Sequence, residues 1–146
     1  MATKDHILEI KDVSKIFVTN SGSLELFTDV NINFYPSTSY ALIGESGVGK
    51  STLLLQLVCK LSLAGQKTAY ITGEESVEQV RMRAVRLGLQ DAEAGLAAAT
   101  NAADIAETVR KTPDLDLLVI DSIQTMFVPG LDSAPGTVSQ VRASAH

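Results

Sequence analysis

The sequence predicts a three-layer α/β domain with a mostly parallel sheet, preceded by a small antiparallel β subdomain. Three observations carry this. A glycine-rich loop, GESGVGKS at residues 44–51, lies between a short apolar run and a long, largely apolar stretch. After it, short apolar runs alternate with helix-like segments, the pattern of parallel strands joined by crossovers. Before it, apolar and polar residues alternate with the period of two expected of half-buried strands.

The first 37 residues supply the antiparallel part. Leu8, Ile10 and Val13 alternate with charged residues, and Ile16, Phe17 and Val18 continue in extended form. Residues 19–23 (TNSGS) mark a turn, after which Val30, Ile32 and Phe34 alternate with asparagines until Pro36 ends the run. The core follows over residues 38–146, within one domain spanning 1–146. Residues 40–43 (YALI) suit a buried strand, and residues 52–64 (TLLLQLVCKLSLA) suit a buried helix that Gly65 ends.

Residues 68–72 (TAYIT) form the next expected strand. Ser76 and Gln79 then make a capping box for a helix reaching about Leu87, with Val77, Val80, Ala84, Val85 and Leu87 on its inner face. Residues 96–99 form a weak strand candidate. Asn101 caps a helix over 102–111 that Thr112 and Pro113 terminate. Residues 115–121 (LDLLVID) give the clearest buried strand, and a last helix starts near Thr137. Helices on both faces of a parallel sheet are the expected result.

Composition narrows the class of partner. A net charge of −5 disfavours a strongly nucleic-acid-binding surface and leaves room for a local basic patch. Cys59 is the single cysteine, so an intrachain disulfide and a cysteine-based zinc site are excluded; its place in an apolar helix marks it as core filling. The polar first 15 residues do not read as a signal peptide, and no apolar run approaches membrane-spanning length, so a cytoplasmic protein without a membrane partner is expected. His6 reads as surface, and His146 reads as a tag remnant.

The glycine loop carries the chemistry. Gly44, Glu45, Ser46, Gly47, Val48, Gly49, Lys50 and Ser51 fit the phosphate-binding pattern G-x-x-x-x-G-K-[ST] at every constrained position. Gly47 and Gly49 allow backbone dihedrals in which successive N–H groups turn inward around a phosphate. The helix that follows from Thr52 adds its positive N-terminal end. Lys50 reaches the outer phosphates, and the Ser51 hydroxyl suits a magnesium ion. With a strand before and a helix after, this arrangement predicts binding of a nucleoside triphosphate, ATP with Mg2+. A glycine-rich turn that merely carries a lysine is the plainer alternative.

Hydrolysis needs carboxylates besides. Asp121 closes an apolar strand just before Ser122, where a second magnesium-associated carboxylate is expected; an Asp capping the following loop is the plainer reading. Glu74 follows another core strand, and in a parallel sheet the carboxyl ends of strands share the ligand-binding edge. Glu74 is therefore a candidate general base, with Lys50 the other candidate catalytic residue, while Glu75 competes for the base role. Arg81, Arg83 and Arg86 read as a solvated helix face.

Two resemblances attach to these residues. Residues 7–51, with ILEIKDVSKIF and LFTDVNINFYPSTSYALIGESGVGKST, resemble the start of an ABC transporter ATPase domain. That resemblance implies an aromatic stacked on adenine, with Phe17 at the matching position; a core phenylalanine is the alternative. Residues 49–145 resemble the bacterial RadA/Sms repair ATPases, a RecA-like P-loop NTPase family, through the runs GKSTLLLQLVCKLSLAGQKTAYITGEESVEQVRMRAVRLGL and LLVIDSIQTMFVPGLDSAPGTVSQVRASA. This second resemblance implies that Glu74 holds the catalytic glutamate position and Asp121 the second magnesium-site position, in an ATPase coupled to single-stranded DNA.

Neither pattern is whole. The ABC signature, glutamine loop and switch histidine have no match, and the RadA-like part lacks that family's zinc-binding cysteines, later core strands and KNRFG motif. The joint reading is an engineered chimera with a truncated RadA-like core. It implies ATP binding with weak or no turnover, self-association through an exposed strand edge, and no nucleic-acid partner in this form. A DNA-dependent ATPase and a folded scaffold without nucleotide binding are the rival expectations.

Overall fold

The computed structural model describes residues 8–19, 22–45 and 47–145. The chain forms two compact units, Met1–Lys50 and Ser51–His146.

The first unit is a long hairpin of β1 (Leu8–Thr19) and β2 (Gly22–Phe34), paired antiparallel. Leu8, Ile10, Val13, Val30, Ile32 and Phe34 are half-buried, in keeping with their period-two spacing. The register slips between Ile10 and Val13 and again around Lys15, and Asp12 and Asp29 both take φ 49° there. Polar side chains satisfy the backbone at these bulges. Asp12 N donates to Asn31 Oδ1 at 3.0 Å and Asp29 N donates to Ser14 Oγ at 3.0 Å.

The expected buried strand over residues 40–43 is corrected. Residues 38–45 form no strand, and Ile43 is 90% exposed. The run is anchored by a side chain rather than by a backbone ladder. The Tyr40 hydroxyl accepts from Tyr35 N at 2.9 Å and donates to Asn33 O at 3.4 Å. Its ring meets Phe34 edge-on with centroids 4.7 Å apart. These contacts fix Tyr40 beside the end of β2 and leave the apolar residues after it facing solvent.

The second unit is layered. Its sheet has the order β4 (Gly95–Ala98), β3 (Thr68–Thr72), β5 (Leu117–Asp121), and both pairings are parallel. On one face, α1 (Lys50–Leu63) and α2 (Val77–Arg86) bring Leu55, Val58, Cys59, Val80 and Ala84 against Tyr70 and Val119. On the other, Ile105 of α3 (Ala102–Arg110) and Met126 meet Ile71, with Leu118 and Ile120 beside them. Alternate residues of β3 and β5 thus feed opposite cores, as strand geometry requires. Removing Leu55, which is fully buried, to alanine would cost about 2–5 kcal/mol.

Local chemistry explains the helix ends. Ser76 and Gln79 form the expected capping box, with Gln79 N to Ser76 Oγ at 3.2 Å and Ser76 N to Gln79 Oε1 at 2.9 Å. Asn101 caps α3 by accepting from Ala103 N at 3.0 Å. Val85, expected on the inner face of α2, is 58% exposed. The inward stripe passes through Val80 and Ala84 instead, and Val85 lies one residue, or about 100°, beyond it. Among the described residues no helix is long and apolar enough to cross a membrane.

A short 3-10 turn, Ile123–Thr125, leads from β5 into a loop that ends at α4 (Val138–Ala145). One residue of α4 organises that loop. Gln140, only 2% exposed, accepts from Val128 N at 2.8 Å and donates through Nε2 to Ser133 O at 2.9 Å and Leu131 O at 3.3 Å.

Candidate functional site

Gly47 and Gly49 take φ 84° and 88°, the left-handed region that a Cβ disfavours. The Lys50 ammonium turns back on the loop, donating to the carbonyls of Gly44 at 2.6 Å and Glu45 at 2.5 Å. The Val48 side chain lies over Gly44, where an added Cβ would come within 3.5 Å of it. Ser51 and Thr52 stand in the first turn of α1, whose opening N–H groups have no partner within the helix. Ser46 and His146 lie outside the described residues, as does His6; of Phe17 only the backbone is described, paired with Leu24 in the hairpin.

The carboxylates gather in the second unit. Thr72 and Asp121 are register partners in the parallel pair β3–β5, so both strands end at one edge. Asp121 is therefore level with Thr72, and Glu74 follows two residues further on. The turn that delivers Glu74 is tied down: the Thr72 hydroxyl accepts from Glu75 N at 2.9 Å and from Glu74 N at 3.3 Å, and Gly73 N donates to Asp121 O at 2.9 Å. Gly73 has no room for a side chain, because a Cβ there would fall 1.8 Å from Thr125 Oγ1.

The two glutamates are placed differently. Glu75 pairs with Arg83, while Glu74 is exposed and accepts from Ser122 Oγ at 2.9 Å. The arginine partner occupies the Glu75 carboxylate. Among the described residues Glu74 has no ion-pair partner.

This pair also corrects one expectation. Arg83 does not belong to a solvated face, since its side chain is 20% exposed and its Nη1 is buried without a partner. Arg81 and Arg86 are exposed as expected. The helix phase explains the difference, for Arg83 lies beside Val80 and Ala84 on the inward stripe.

Asp121 has a partner that the sequence reading missed. The Tyr70 hydroxyl, from the neighbouring strand, donates to Asp121 Oδ2. Burial chiefly, and then this bond, push the Tyr70 phenol far above the ordinary tyrosine range. Burial likewise raises the Cys59 thiol, consistent with inert core filling. The signal for Tyr70 was a tyrosine in the middle of a core strand, between Ala69 and Ile71. Ser122 had one too, as the hydroxyl adjoining a strand-end aspartate.

Among the described residues no three His, Cys, Asp or Glu side chains converge on a metal site. Magnesium takes one or two protein oxygens and completes its shell with phosphate and water, and the Asp121 carboxylate is an oxygen donor of that kind.

Residues 33–143 match the family described as AAA domain. The DNA repair protein RadA of Brucella abortus (strain 2308) is 44% identical over 144 residues, covering 94% of this chain and 30% of that protein. The RadA proteins of Rickettsia bellii (strain RML369-C) and Chlamydia trachomatis are 49% identical over 104 residues and 50% identical over 105, covering 70% and 71% of this chain. The chain spans less than a third of the length of these curated relatives, 30% and 23%.

Proposed function

The chain belongs to the AAA-domain family, and on that footing we propose that it binds ATP with magnesium through the loop at 44–51 and hydrolyses it slowly in isolation. The observation that carries this is the shared strand edge: Asp121 in register with Thr72, and Glu74 two residues beyond. The loop amides and Lys50 hold the phosphates, with Thr52 at the helix start. Ser51 and Asp121 are the residues that would hold magnesium, which when bound neutralises charge on the phosphates. Glu74 accepts a proton from the attacking water, and Glu75 is held out of that role by Arg83.

Measuring the affinity for labelled ATP tests the binding reading. Lys50→Ala should weaken it by about tenfold or more, since Lys50 supplies the charged contact to the outer phosphates. Unchanged affinity in that variant removes the reading.

A DNA partner is the second part of the proposal, supported by the printed name of the relatives, DNA repair protein. The net charge of −5 disfavours a broad nucleic-acid surface and leaves a local contact open. Single-stranded DNA should then raise phosphate release, and a flat response excludes this part alone. The Brucella abortus match covers 94% of the chain, which favours one RadA-like parent over a two-family chimera. Under the two-family reading Phe17 would stack on adenine, and Phe17→Ala would weaken ATP binding while sparing inorganic triphosphate.

A further inference from the structure

Tyr70 places a polar tip inside an apolar cluster. It is 1% exposed, among Leu55, Val58, Val80 and Val119. A phenol buried to that degree needs a hydrogen-bond partner, and among the described residues it has one in Asp121 Oδ2. Packing from α1, α2 and β5 fixes the ring, so it fixes where the hydroxyl can be. Asp121 is constrained differently, because it is the last residue of β5 and only half-buried. The terminal torsion of an aspartate is broad, and a carboxylate at a strand end would otherwise sample several orientations.

We propose that Tyr70 is a positioning residue: its buried hydroxyl holds Oδ2 of Asp121, so that Oδ1 is the oxygen presented to a divalent cation. The proposal rests on the reading of Asp121 as a metal-site residue. A core tyrosine that merely found the nearest acceptor would matter to stability alone. A positioning tyrosine matters to the metal, and partners that orient metal ligands typically change metal affinity by about 10–100-fold when removed.

The test uses the full chain, a fluorescent ADP analogue and magnesium chloride. Nucleotide binding is titrated against magnesium for the wild type, Tyr70→Phe and Asp121→Asn, and repeated in EDTA. For Tyr70→Phe the magnesium concentration at half-maximal enhancement should rise about tenfold, with binding in EDTA unchanged. A Tyr70→Phe curve lying on the wild-type curve while Asp121→Asn is shifted overturns the proposal and leaves the metal reading standing. If neither variant shifts, Asp121 serves no metal and both fall.

A second measurement does not need the Tyr70 variant to fold. The chain has no Trp and three Tyr, so near-ultraviolet absorbance reports on phenols. Adding magnesium to the ADP-bound wild type should perturb the tyrosine spectrum, and Asp121→Asn should abolish that change. A wild-type spectrum indifferent to magnesium overturns the proposal.

Discussion

Ser122 Oγ donates to Glu74 Oε1 at 2.9 Å, joining the residue after β5 to the residue beyond the end of β3. The bond links the candidate base to the loop that follows the candidate metal residue. It orients an exposed carboxylate that would otherwise rotate freely. Glu74→Gln should lower phosphate release by about 10²–10⁴ with ATP affinity kept, the usual range for a general base. Ser122→Ala should cost about tenfold in kcat and little in KM, since it removes one charge-assisted hydrogen bond. A Glu74→Gln variant with full turnover would assign the base elsewhere.

Gly73, between β3 and Glu74, packs against the 3-10 turn that follows β5, and its missing side chain is a requirement. A Cβ there would fall 1.8 Å from Thr125 Oγ1 and 2.9 Å from Thr125 Cβ. Gly73→Ala must therefore push the 3-10 turn away from β3, with a loss of about 1–3 kcal/mol in urea unfolding. Adding Thr125→Ala removes the closer atom and should restore part of that loss. Equal stability of Gly73→Ala and the wild type would mean the turn yields without cost.

Arg83 shows what was legible in the sequence and what was not. The spacing of Ser76 and Gln79, the apolar runs of β3 and β5 and the glycine positions are short-range signals, and each appears in the fold as an element or a cap. The Arg83–Glu75 pair spans eight residues across a helix start and depends on which side of α2 faces the sheet. Tyr70 and Asp121 are 51 residues apart and meet only because β3 and β5 pair in one register. Residues 40–43 failed in the opposite sense: local apolarity suggested burial, and the contacts of Tyr40 with Phe34, Tyr35 and Asn33 decided otherwise. Arg83→Ala should accordingly destabilise by about 1–3 kcal/mol, because it leaves Glu75 unpaired in a partly enclosed site. Arg81→Ala, with a side chain 63% exposed, should stay within about 0.5 kcal/mol.

Gln140 makes three hydrogen bonds into the loop between the 3-10 turn and α4 while almost wholly buried. Gln140→Leu keeps the volume and strands one donor and two acceptors. The expected loss is about 1–3 kcal/mol for each group that stays dry, less where water enters. Limited proteolysis should show faster cutting within residues 128–136 than in the wild type. An unaltered cleavage pattern would show that the loop holds its shape without the glutamine.

Alkaline unfolding isolates the Tyr70 phenol. Its pKa is raised in the folded state by burial first and by Asp121 second, with Glu75 adding to the rise and Arg83 opposing it. A folded-state pKa above the unfolded value of about 10 means that the unfolded chain releases this proton first as pH rises. The native state then binds one more proton than the unfolded state, so stability is fully present below about pH 10 and falls above it. The slope for one such group is about 1.4 kcal/mol per pH unit. Tyr70→Phe lacks the group, while Cys59 and the lysines contribute equally to both proteins. Unfolding free energies measured from pH 9 to 12 should therefore converge, the wild type losing its advantage over Tyr70→Phe as pH rises. Parallel curves would place the Tyr70 hydroxyl in contact with water.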